Sequence, residues 1–156
     1  TLQHDHVHLL VEADGAEALG RGMKSIAARF ALAVNRARKR QGAVLLDRYH
    51  FRVLKTPTEV RNALRYVLLN ARKHWAQGLR RRGKDAAKAM GASLRPVLDA
   101  ASSARWFDGW SVPMTGDCSP KATPSAVAKA QTWLLGPGWR RAGLIDPNEI
   151  PGALRV

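Results

Sequence analysis

The chain of 156 residues has one cysteine, 12 acidic residues against 26 basic ones, and no long uncharged apolar run. Cys118 by itself excludes an intrachain disulfide and fits a reducing compartment. No stretch approaches the roughly 18 apolar residues of a membrane-spanning helix. The shortage of acid is uneven: residues 21–84 hold 18 Lys/Arg but only Asp47 and Glu59, residues 1–20 carry a net −4, and residues 85–156 a net +2. A solvated helix face explains any one of these cations. A surplus of this size in one stretch instead implies a polyanionic partner. The 46% hydrophobic content argues against wholesale disorder and is enough for one packed domain with a smaller appendage.

What is present begins with His4, His6 and His8 on alternate positions. On an extended strand they share one face, with Val7, Leu9 and Val11 on the other, where they can be buried. Imidazoles so spaced can grip one divalent metal; they can also be a half-exposed strand that tolerates water. Thr1 falls inside this apparent strand, so the chain reads as a fragment whose upstream elements are missing.

Asp14-Gly15 then offers a helix start, and Leu19, Met23, Ile26, Ala27, Phe30, Val34 and Ala37 recur at helical spacing, which predicts a helix over about 16–40 ended by Gln41-Gly42. From Arg48 the sequence alternates. Tyr49, Phe51 and Val53 point one way and Arg48, His50 and Arg52 the other, as in a half-buried strand with a basic face. Thr56-Pro57-Thr58-Glu59 is a helix start with a cap, proline at the first helical position and a capping box. Val60, Ala63, Leu64, Val67 and Ala71 form the buried stripe of that second helix, Gly78 its stop, and Arg80-Arg81-Arg82-Gly83-Lys84 a basic linker. Residues 91–126 read as loop with short helical pieces. The tryptophans of 106–110 and 133–139 are expected to pin an irregular tail onto the body, with base stacking as the functional alternative.

Tyr66 and Asn70, four residues apart on the second helix, project from the same face, with Asn62 and Lys73 near it. Tyr66 is offset from the apolar stripe, so its hydroxyl can remain accessible. A tyrosine can attack a phosphodiester and retain the product as a phosphotyrosine, with help from a base or from a metal that makes the phosphate more electrophilic. Asn70 offers a neutral carbonyl oxygen as a third ligand beside His6 and His8. Tyr49 is a rival nucleophile, disfavoured because its strand face pairs it with Phe51 and Val53, which argues for burial.

The order of Asp5-His6-Val7-His8-Leu9-Leu10-Val11, a helix with Asn35 near its basic end, Asp47-Arg48-Tyr49-His50-Phe51-Arg52 and Tyr66-Val67-Leu68-Leu69-Asn70 resembles the HUH single-strand transposases, specifically the REP-associated tyrosine transposases. The resemblance covers about residues 2–78; His4 has no counterpart in it. It implies that His6, His8 and Asn70 hold Mg²⁺ or Mn²⁺, although ligand chemistry alone favours zinc or manganese. It implies that Tyr66 cuts single-stranded DNA beside a hairpin, leaving a 5′-phosphotyrosine and a free 3′-OH. Arg48, His50, Arg52, Arg61, Arg65, Arg72 and Lys73 are then expected to neutralise DNA phosphates. A bacterial, cytoplasmic, DNA-associated protein without an obligate protein partner follows from the same resemblance.

The expected fold is α+β: a partial ferredoxin-like antiparallel sheet with helices on one face, followed by an irregular Trp-containing extension. Residues 1–80 would be a catalytic domain lacking its first strand and helix, and 81–156 the linker and extension. Two other readings compete with the endonuclease and strand transferase. One is a catalytically silent DNA-hairpin-binding protein derived from such an enzyme. The other is an amidohydrolase, which also begins with His-x-His on a strand but needs about 250 residues and further His/Asp ligands.

Overall fold

The computed structural model describes Thr1, residues 6–71, Lys73, Leu98, residues 101–113, Ser125 and residues 127–152. His4, Arg72, Gly78, the basic linker at 80–84, Cys118 and most of 91–126 lie outside the described residues. Among the described residues two α-helices organise the chain: α1, Ala16–Ala37, and α2, Pro57–Leu68, with short 3-10 helices at Ser103–Trp106 and Gly138–Ala142. Contacts divide it into two compact units, residues 1–10 with 54–156, and residues 11–53. Among the described residues no helix is long and apolar enough to cross a membrane.

The expected ferredoxin-like sheet is absent among the described residues. The described residues are mainly helical and form no sheet; the bridge between Trp110 and Ile145 is isolated and parallel. A strand needs a hydrogen-bonded neighbour as well as an alternating sequence. The main chains of Thr1 and His8 exchange both hydrogen bonds, 2.9 and 3.0 Å, so the histidine segment pairs with its own start. Val7 is half-buried, but Leu9 and Val11 are exposed, against the expectation that all three are covered. Residues 45–53 are exposed throughout and carry no strand.

α2 begins as its sequence dictates. The Thr56 hydroxyl accepts from the Glu59 amide at 3.2 Å, and the Glu59 carboxylate accepts from the Thr56 amide at 3.1 Å, so both halves of the capping box form, with Pro57 at the first helical position. Val60, Ala63, Val67 and Leu68 are buried along it. The helix breaks at Leu69 (φ −111°, ψ 18°), and Asn70, Ala71 and Lys73 are helical again beyond the break.

The covering layer comes from the C-terminal segment. Val60 and Leu69 form a buried cluster with Trp139 and Ile145, ringed by Leu54, Leu64, Phe107, Trp110, Leu134 and Leu135. Phe107 stacks on Trp139 (centroids 5.4 Å) and meets Trp110 edge-on at 5.0 Å. Gly109 permits this packing: a Cβ there would lie 2.3 Å from the Trp139 ring. The Ser111 amide donates to Ile145 O and the Ile145 amide to Gly109 O, tying the two aromatic segments together. The tail tryptophans do different things. Trp139 is core, whereas Trp133 is 53% exposed under the Arg141 guanidinium.

In the other unit α1 is amphipathic but has no fully buried residue. Leu19, Met23, Ala27, Phe30 and Val34 are half-covered and Ile26 is exposed. It stops at Ala37, short of residue 40. Lys39 adopts a left-handed conformation (φ 48°), and the amides of Arg40 and Lys39 bond back to Asn35 O and Arg36 O, the pattern of a Schellman cap. The Asn35 amide then donates to Gly42 O at 2.9 Å and closes the turn.

Candidate functional site

Residues separated by about sixty positions meet at the outer end of α2. The Nε2 atoms of His6 and His8 are 3.0 Å apart and their rings are edge-on, centroids 4.6 Å apart. The His8 ring lies edge-on against the Tyr66 ring at 5.0 Å. Lys73, past the break in the helix, donates to the Tyr66 hydroxyl at 3.3 Å and sits 4.6 Å from the centre of its ring. Tyr66 is half-buried, held between an imidazole and an ammonium group.

Asn70 is the fourth member of the sequence constellation. It is fully buried, and neither its Oδ1 nor its Nδ2 has a hydrogen-bond partner. Burying both ends of an amide unpaired costs several kcal/mol in total, on the order of 1–3 for each group. Such an amide is suited to accept an additional polar or cationic neighbour.

The two imidazole nitrogens have the spacing of a pair of cation ligands. Two ligands at right angles, each about 2.1 Å from an ion, are about 3 Å apart, and the His6–His8 Nε2 spacing is 3.0 Å. Among the described residues no group of three His, Cys, Asp or Glu side chains could hold an ion. The third ligand expected from the sequence, the Asn70 amide oxygen, is neutral, and a set of two imidazoles and an amide would leave a cation's charge uncompensated by carboxylates.

Of the seven residues expected to meet DNA, six are described and fall into three groups. Arg48, His50 and Arg52 are exposed in the unit formed by 11–53. Lys73 turns to Tyr66. Arg61 and Arg65 are engaged elsewhere: both bind the Glu149 carboxylate, at 2.6 and 2.9 Å, and Arg61 also donates to Gly143 O and Leu144 O. Arg72 lies outside the described residues. Partial burial pushes the Glu149 carboxyl up, but hydrogen bonds from Arg61, Arg65 and the Asp146 amide, with the charge of Arg61, outweigh it and bring it down to about 2. These two arginines therefore fasten the C-terminal segment to α2. Residues i and i+4 on one helix face are equally suited to gripping a phosphate or a carboxylate, so their spacing could not reveal the partner.

Tyr49, the rival nucleophile, and Phe51, both expected in a covered face, are 42% and 62% exposed, with ring centroids 6.1 Å apart. Comparison of the chain with protein families, curated proteins and solved structures finds no match.

Proposed function

We propose that the protein is a metal-dependent single-stranded DNA endonuclease and strand transferase that works through a phosphotyrosine intermediate. The observation that carries this reading is the meeting of His6 and His8 with Tyr66, a juxtaposition that helix periodicity and core packing do not require. His6, His8 and Asn70 would hold Mg²⁺ or Mn²⁺, whose charge would polarise an oxygen of the scissile phosphate.

The chain's own residues have the following roles. The phenolic oxygen of Tyr66 attacks phosphorus and gives up its proton; the P–O3′ bond breaks; the departing 3′ oxygen takes up a proton, leaving a free 3′-OH and a 5′-phosphotyrosine. Lys73 places an ammonium against that phenolic oxygen, where it opposes negative charge both in the attack and in the reverse step, when the oxygen leaves. The His8 ring packs on Tyr66 and restricts its rotation. Arg48, His50 and Arg52 supply charge for the DNA backbone. Hairpin DNA as substrate follows from the family the sequence resembles.

The test is incubation of the chain with labelled hairpin and unstructured oligonucleotides, with Mn²⁺, Mg²⁺ or chelator, followed by a denaturing gel. A metal-dependent covalent protein–DNA band, lost in Tyr66→Phe and in His6→Ala, is the expected result. A band surviving in Tyr66→Phe would move the nucleophile elsewhere, with Tyr49 next. Tight hairpin binding without any band would favour the silent DNA-binding protein.

A further inference from the structure

We infer that Tyr49 and Phe51 form a stacking platform for unpaired bases, which makes the segment 44–53 a binding site for single-stranded nucleic acid in its own right. Three observations converge on it. The two rings stand on alternate residues, are 42% and 62% exposed, and lie 6.1 Å apart at 45° to each other. Exposed aromatic rings side by side cost free energy in water that a planar apolar partner recovers. Next, residues 36–52 hold six Lys/Arg and one acid, Asp47, so whatever covers the rings comes close to a strongly cationic stretch. Arg48, His50 and Arg52, alternating with the rings, are exposed as well.

A partner with flat apolar faces on an anionic backbone satisfies both requirements, and a single strand has that chemistry along its whole length. A duplex has its bases stacked inside and offers the rings nothing. An apolar protein face would cover the rings but would have to desolvate the cations next to them. Charge complementarity therefore selects the single strand. The inference does not depend on Tyr66 or on a metal.

The experiment is fluorescence anisotropy of the full chain with an unstructured oligo-dT strand and with a blunt duplex, in chelator, over a salt series, with a central 2-aminopurine in a second strand to report stacking. The variants are Tyr49→Ala/Phe51→Ala, Phe51→Tyr and Arg48→Gln/Arg52→Gln; all the sites are exposed, and circular dichroism confirms the fold. The double alanine variant is expected to weaken oligo-dT about tenfold or more, to change duplex binding little, to keep the salt slope and to abolish 2-aminopurine quenching. Phe51→Tyr is expected to bind like the parent, and the double glutamine variant to lower the slope of log K against log salt by about 1.4. Unchanged oligo-dT affinity in the double alanine variant, or an equal loss on duplex and single strand, would overturn the platform. So would a dimer that this variant converts to monomer, because the rings would then be covered by a second copy. Tyr66→Phe should bind oligo-dT normally. Absence of a covalent band from the parent chain with quenching intact would remove the nuclease reading alone, and a covalent band without quenching would remove the platform alone.

Discussion

α2 and α1 begin from similar material, an amphipathic pattern dotted with arginine, and end in opposite conditions. α2 is capped at both levels of its box and has four buried residues, and its arginines at 61 and 65 are tied to Glu149. α1 has no side-chain cap and no buried residue, and the segment after it leaves Leu46 91%, Phe51 62% and Val53 61% exposed. The difference is the partner each finds. The C-terminal segment supplies α2 with Trp139, Ile145 and one carboxylate, whereas the unit of 11–53 contains no comparable cover. Charge count does not show that Arg61 and Arg65 are half-buried against Glu149 while Arg48 and Arg52 are exposed.

The contrast can be broken most forcefully at Trp139. Trp139→Ala should cost about 3–5 kcal/mol, seen as a collapse of the urea midpoint and of the near-ultraviolet tryptophan signal, with the far-ultraviolet signal of α1 largely retained. Gly109→Ala drives a methyl into the same ring and is expected to cost about 1–3 kcal/mol by the same measurement. Glu149→Gln should cost about 2 kcal/mol, between the limits for exposed and buried ion pairs. Its pH dependence has a defined sign. The carboxyl lies at about 2 when folded and 4.5 when free, so its contribution is complete above 4.5 and disappears as pH falls towards 2. Urea midpoints of parent and variant should therefore differ at pH 7 and converge near pH 2. Lys39→Gly relieves the left-handed conformation at the end of α1 and should stabilise by about 0.5–1 kcal/mol, a small rise in the thermal midpoint. Smallest of all, Arg48→Gln should move stability by under about 0.5 kcal/mol while weakening nucleic acid, which sharpens the distinction between the two kinds of arginine.

Local signals in the sequence were readable and non-local ones were not. Thr56, Pro57 and Glu59 fix the start of α2 through groups within four residues of each other, so their pattern and their geometry coincide. The period of Leu19, Met23, Phe30 and Val34 fixed α1, although its end moved three residues because Lys39 took the turn expected of Gly42. Alternation at 6–11 and 48–53 suggests sheet, but sheet depends on a distant neighbour that alternation does not encode. The His6, His8, Tyr66 constellation was legible because the residue types are chemically unusual together. The Glu149 clamp was not, since a single carboxylate in a tail carries no mark of the two arginines more than eighty residues earlier.

The break in α2 at Leu69 joins mechanics to chemistry. Leu69 is 2% exposed and wedged among Val60, Trp139 and Ile145, while Tyr66 stands before it and Asn70 and Lys73 after it. The pivot between Tyr66 and Asn70 is thus a core side chain, and the tail holds that pivot as a vice holds a joint. Loosening the tail would change the angle between Tyr66 and Asn70 before it touched either residue, so their alignment should decay in step with the melting of the tryptophan packed on that pivot.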